Sequence, residues 1–127
     1  MSDSSPNTLN SQSSNHPLLI KGLDEFNRRE FYDAHETLED YWRMLHSDEK
    51  ELVQSIIQAA VGYYHFGRGN RVGARKLLVR AVTRAESVAE NTLGINTAPY
   101  LESIKKSLQA VESDACDTIE MPTISFL

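Results

Sequence analysis

Two histidines and two glutamates stand at spacings that could support chemistry. His35, Glu36 and Glu39 fall within one short stretch, and Trp42 follows three residues later. On a helix, His35 and Glu39 lie one turn apart on the same side. An imidazole beside a carboxylate is a general acid–base pairing, with Glu36, Tyr32 and His65 within reach as helpers. His35, Glu39 and His65 also offer the ligand types of a divalent transition metal. The spacing supports a metal weakly. A zincin helix needs a second histidine four residues after the first, and position 39 is Glu. A ferritin-like di-iron site needs Glu-x-x-His on two helices, whereas this chain has His-Glu-x-x-Glu once. The plainer expectation is a buried network in which His35, Glu39, Trp42, Gln58 and His65 satisfy one another. These residues specify no cofactor.

The elements that must position them read as helices. At about 100° per residue, Phe31, Ala34, Leu38, Tyr41, Trp42 and Leu45 share one arc. His35 falls in the middle of that arc, Glu39 at its edge and Glu36 further out. A third helix carries Leu52, Val53, Ile56, Ile57, Ala59, Ala60, Val61, Tyr63, Tyr64 and Phe66 around most of its circumference. It is expected to be central, with the polar stripe Gln54, Gln58 and His65 facing His35 and Glu39 across the core. The predicted helices run from about Pro17 to Arg29, Glu30 to His46 and Asp48 to Gly67, then from after Asn70 to Asn91, and from after Thr97. Pro17 suits a first turn, Asp48-x-x-Glu51 has capping-box spacing, Asn70 is a good N-cap, and Gly67 and Gly69 punctuate a stop. No useful strand alternation appears. The expected fold is all-α, a compact bundle of about five antiparallel helices over residues 16–112. Residues 1–15, rich in Ser and Asn, are expected to be a disordered tail. Residues 113–127 are expected to be an extended tail docked on the body or on a neighbouring chain, because Ile119, Met121, Ile124 and Phe126 make it unusually apolar.

Charge separates along the chain. Residues 16–51 hold ten acidic and five basic residues. From Arg68 to Arg84 there are six basic residues and no acidic one. Leu77, Leu78, Ala81, Val82, Ala85 and Val88 make the buried arc of the fourth helix, leaving a positive outer face. Arg68, Asn70, Arg71, Gly73 and Arg75 form a candidate anion site at its N-terminus. It is not a P-loop, lacking both the Gly-Lys-Ser/Thr ending and a preceding strand. A net charge of -5 and the lack of interleaved aromatics argue against nucleic acid. The single cysteine, Cys116, excludes an internal disulfide framework and a Cys-based zinc cluster. No apolar run approaches a membrane span, and Met1 to Asn15 lacks the pattern of a secretory signal. A cytoplasmic location is the expectation.

The pattern Phe31-x-x-Ala34-His35-Glu36-x-x-Glu39-x-x-Trp42 resembles the signature of the family catalogued as domain of unknown function 309. Gln54-x-x-Ile57-Gln58-x-Ala60, His65 and Gly69-Asn70-x-x-Gly73-Ala74 fit the same resemblance, which covers about Phe26 to Ala85. It implies a small all-helical bundle and no established activity. Two functions remain open. One is an interaction module binding a protein partner, a second copy or a small anion. The other is a metal-binding or hydrolase-like enzyme built on His35, Glu36 and Glu39.

Overall fold

The computed structural model describes residues 15–113 and 118–127. The expected N-terminal tail lies outside these residues except for Asn15, and so does Cys116. Among the described residues there are five α-helices: α1 (Pro17–Asn27), α2 (Phe31–Trp42), α3 (Ser47–Gly67), α4 (Arg71–Glu86) and α5 (Thr97–Glu112). One 3-10 turn, Thr92–Gly94, precedes α5. The class is all-α, as the periodicity implies.

Helix α3 is the hub. It packs against α2 on one side and α4 on another, while α1 packs on α2 and α5 on α4. Its buried residues, Leu52, Val53, Ile56, Ile57, Ala59, Ala60 and Tyr63, match the expected apolar circumference. They meet Phe31, Ala34, Leu38 and Tyr41 of α2, and Ala74, Leu78 and Ala81 of α4. The sequence reading missed two polar ties inside this core. Ser55 Oγ donates to the Ala81 carbonyl at 2.7 Å and meets the Tyr100 hydroxyl at 2.9 Å. The Tyr63 hydroxyl meets Ser107 Oγ at 2.8 Å. Burial pushes both tyrosine hydroxyls well above their ordinary range, so they stay protonated and available as donors.

Two turns set the geometry around α2 and α3. After α1, Glu30 N–H donates to the Glu25 carbonyl and Arg29 N–H to that of Phe26. This is a Schellman turn, with Arg29 rather than glycine in the left-handed region at φ 67°. After α3, Asn70 N–H donates to the His65 carbonyl and Gly69 N–H to that of Phe66, with Gly69 at φ 79°. Gly69 is therefore the stop that the punctuation implied.

Two helix ends and one cap differ from expectation. α2 ends at Trp42 rather than His46, because Met44 and Leu45 N–H turn back to carbonyls three residues earlier and His46 is extended. α4 ends at Glu86 rather than Asn91, and the chain then enters left-handed conformations at Asn91 and Leu93. Asp48 does not close a capping box. Its carboxylate instead accepts from Ala89 N–H at 2.9 Å, which ties the α4–α5 connection to the start of α3.

The described part of the C-terminal segment, residues 118–127, lies on the body of its own chain. Asn27 exchanges two hydrogen bonds with Ile124, and the Arg29 guanidinium donates to the carbonyls of Met121 and Pro122. Ser107 Oγ donates to the Glu120 carbonyl, and Ile95 bridges to Phe126.

Candidate functional site

A groove between α2 and α3 gathers several of the sequence-predicted residues. Phe31, Tyr32 and His35 line it from α2, and Val61, Tyr64 and His65 from α3. Its volume is about 310 Å³, near the small end of ligand pockets. The residues converge because positions 31, 32 and 35 share one side of α2, while 61, 64 and 65 share one side of α3. Tyr32 and Tyr64 face each other with ring centroids 5.6 Å apart. The His35 ring lies edge-on to Tyr32 at 5.1 Å, and that of His65 is 6.2 Å from Tyr64. The Arg68 guanidinium sits over Tyr64 at 5.5 Å.

His35 is not sealed in the core. Its side chain keeps 20% of its exposure and opens onto the groove. Nδ1 lies 2.8 Å from the Tyr32 carbonyl, which can only accept, so Nδ1 carries the proton of the neutral ring. Nε2 stays free as an acceptor, with Glu39 Oε2 3.9 Å away. Glu39 is half exposed, so the expected buried pair becomes a loose pair at the rim. Glu36 points to solvent.

The contacts of His65 favour the opposite tautomer. Its Nδ1 lies 3.4 Å from the Asn70 side-chain amide nitrogen, a donor. Nδ1 therefore accepts, and the neutral ring carries its proton on Nε2. Asn70 is oriented by its own N-cap bond, in which Oδ1 accepts from Gly73 N–H at 2.9 Å. Gly73 leaves room for this arrangement. A Cβ there would lie 2.6 Å from the Asn70 nitrogen and 3.1 Å from His65 Cδ2.

The rest of the expected network separates. Gln58 faces α4, where Oε1 accepts from Arg84 Nε at 3.2 Å beside the 2.7 Å Arg84–Glu51 pair. The Trp42 indole N–H does not reach Glu39. It is buried without a partner among the described residues, and the Lys50 ammonium lies 4.4 Å over the ring. Among the described residues, no three of His, Cys, Asp and Glu stand close enough to hold a metal ion. His35, Glu39 and His65 are not such a group.

The candidate anion residues do not converge either. Asn70 already occupies a free amide at the start of α4. The Arg71 guanidinium is spent on the last turn of α5, donating to the carbonyls of Ala110, Val111 and Ser113. That end carries the negative pole of the helix dipole, which holds the cation. Arg68 lies over Tyr64, and Arg75 is exposed. A larger hollow of about 610 Å³ lies between Arg29, Pro99, Ser103 and residues 119–123. It is shallow, and its one cation is already bonded to the Met121 and Pro122 carbonyls.

Sequence reasoning placed Phe31, Val61 and Tyr64 in the core; Phe31 is buried there, but its edge and the half-buried Val61 and Tyr64 also wall the groove. The available signal was that Val61 and Tyr64 flank His65 on the same side of α3. It also missed Glu25, a buried carboxylate whose Oε2 accepts from Lys21 at 2.7 Å. Burial raises this carboxyl. The Lys21 hydrogen bond, the neighbouring Thr37 hydroxyl and the charges of Lys21 and Arg28 outweigh it, so the net shift is downward.

Two relatives match much of the chain in sequence. The chain is similar to "Uncharacterized protein YpuF" of Bacillus subtilis (strain 168), 32% identical over 98 residues, which are 74% of this chain and 56% of that protein. It is also similar to an "Uncharacterized protein" of Aquifex aeolicus (strain VF5), 30% identical over 91 residues, or 68% of this chain and 27% of that one. It therefore spans about half the length of the first and about a quarter of the second. No helix among the described residues is long and apolar enough to cross a membrane. A family model described as Domain of unknown function (DUF309) matches residues 19–77, a span that contains every wall of the groove.

Proposed function

We propose that this chain is a binding module whose α2–α3 groove takes up a flat, mostly apolar ring with a polar edge. One observation carries the reading. Two histidines from different helices line a single apolar groove, one with Nδ1 against a carbonyl and the other with Nδ1 against an amide donor, contacts that favour opposite tautomers and leave one acceptor and one donor free. Tyr32 and Tyr64 supply the faces on which a ring stacks. A ligand with both a donor and an acceptor on one edge can answer both imidazoles.

The probes are p-cresol and toluene, which share a ring and differ by one hydroxyl. In NMR titrations of the full chain, p-cresol is expected to shift the His35, His65, Tyr32 and Tyr64 ring signals. It should bind at least about threefold more tightly than toluene, the worth of one modest hydrogen bond. A Tyr64→Ala variant should lose the response. Equal affinities, or shifts spread over the exposed side chains, would count against the proposal.

A second reading rests on the same Tyr32 carbonyl. By fixing His35 with Nε2 unprotonated, it presents a general base beside Glu39. Turnover of p-nitrophenyl acetate by the parent that disappears in His35→Ala would favour this hydrolase-like reading.

A further inference from the structure

Helix α4 carries five cations, and the fold uses two of them internally. Arg71 holds the end of α5, and Arg84 holds Glu51 and Gln58. Arg75, Lys76 and Arg80 are exposed and make no ion pair among the described residues. Two apolar side chains lie on the same face, Val72 at 64% exposure and Val79 at 37%. At about 100° per residue, Val72, Lys76, Val79 and Thr83 form one line, with Arg75 and Arg80 to either side. The outer surface of α4 is a basic ridge with a narrow apolar crest.

The matching surface is on α2. Asp33, Glu36 and Asp40 are exposed and fall together on the wheel, away from the side that carries His35. Asp40 holds Arg43 at 2.9 Å, while Glu36 makes no ion pair among the described residues. α2 and α4 both pack on α3 rather than on each other. The two surfaces therefore do not neutralise each other within one copy.

We infer that the basic ridge of α4 docks on the acidic face of α2 of a second copy. Two different patches meet, so the contact either closes as a reciprocal two-fold pair or continues head to tail into longer chains. Nucleic acid fits the ridge less well, because no aromatic side chain is present to stack on bases and the chain carries a net charge of -5. A membrane fits less well too, because valine is the largest apolar group on the crest. Exposed ion pairs each contribute little, so the association is weak.

The test is sedimentation velocity of the full chain over a range of concentrations, at about 20 mM and about 500 mM NaCl. The average mass should rise with concentration at low salt, and the association should be at least about tenfold weaker at high salt. A Lys76→Glu/Arg80→Glu variant should remain monomeric, as should Asp33→Lys/Glu36→Lys. Mixing them should restore association, because the reversed α4 can still meet the reversed α2. A parent that is monomeric throughout, a variant that associates like the parent, or a mixture that stays monomeric would overturn the inference. So would a monomeric parent that binds single-stranded DNA or anionic vesicles and loses that binding in Lys76→Glu/Arg80→Glu. Circular dichroism of each variant checks that these exposed substitutions leave the fold intact.

Discussion

The bond from His35 Nδ1 to the Tyr32 carbonyl decides which nitrogen the groove can use. That bond is one side chain's contribution to an otherwise complete helix, and the ring is partly solvated. His35→Ala is therefore expected to cost at most about 1 kcal/mol, read as a small change in urea midpoint, while abolishing the His-dependent part of p-cresol binding. Glu25 behaves differently. Its carboxyl titrates below the ordinary 4.5, so the folded state favours the charged form. The stabilisation is present above that pH and fades as pH falls through and below it. Glu25→Gln should flatten the acid side of a melting-temperature profile below about pH 4.5. An unchanged profile would show that the Lys21 contact contributes nothing. Arg29 was not legible as a turn residue, because the left-handed signal in a sequence is glycine or asparagine. Here the strain is offset by two carbonyls of residues 121 and 122, which no local pattern could reveal.

At the scale of elements, the helices were readable because apolar residues recur at helical spacing over long stretches. Their ends were less so. Leu45 continued the α2 arc and is buried, yet it lies in a turn beyond the helix. Asp48 had capping chemistry, but the Ala89 N–H competed for it. Gln58 and His65 looked like one stripe. They do lie within about 20° of each other, but seven residues also set them about 10 Å apart along the axis, so Gln58 meets Arg84 while His65 meets Asn70 and the groove. The turn from α3 to α4 gives a direct test. Gly73→Ala should displace Asn70 and release both its N-cap bond and its contact with His65. The lost cap costs about 1 kcal/mol and the helix propensity of alanine returns about as much, so the expected readout is a chemical-shift change at the His65 ring with little change in stability. An alanine variant with an unmoved His65 signal would mean that Asn70 does not hold the ring.

Across the whole molecule, the C-terminal segment ties α1, α5 and the loop before α5 together. Ile124 is buried, and residues 120–127 join the body through Asn27, Arg29, Ser107, Gly94 and Asn96. The sequence suggested docking from the segment's apolar content but left its partner open between the body and a neighbouring chain. Truncation after Glu112 is expected to destabilise the monomer by about 2–4 kcal/mol, chiefly through lost burial, and to leave the salt-sensitive association in place. Unchanged stability on truncation would mean that the segment is not a structural tie. The groove is the feature on which the functional account depends, and its histidines can be observed directly. A long-range 1H–15N correlation spectrum of the labelled chain reports which ring nitrogen bears each proton. The expected result is His35 protonated at Nδ1 and His65 at Nε2, with both Nε2 signals moving on addition of p-cresol. Rings that share one tautomer, or Nε2 signals that stay fixed at saturating p-cresol, would contradict the account.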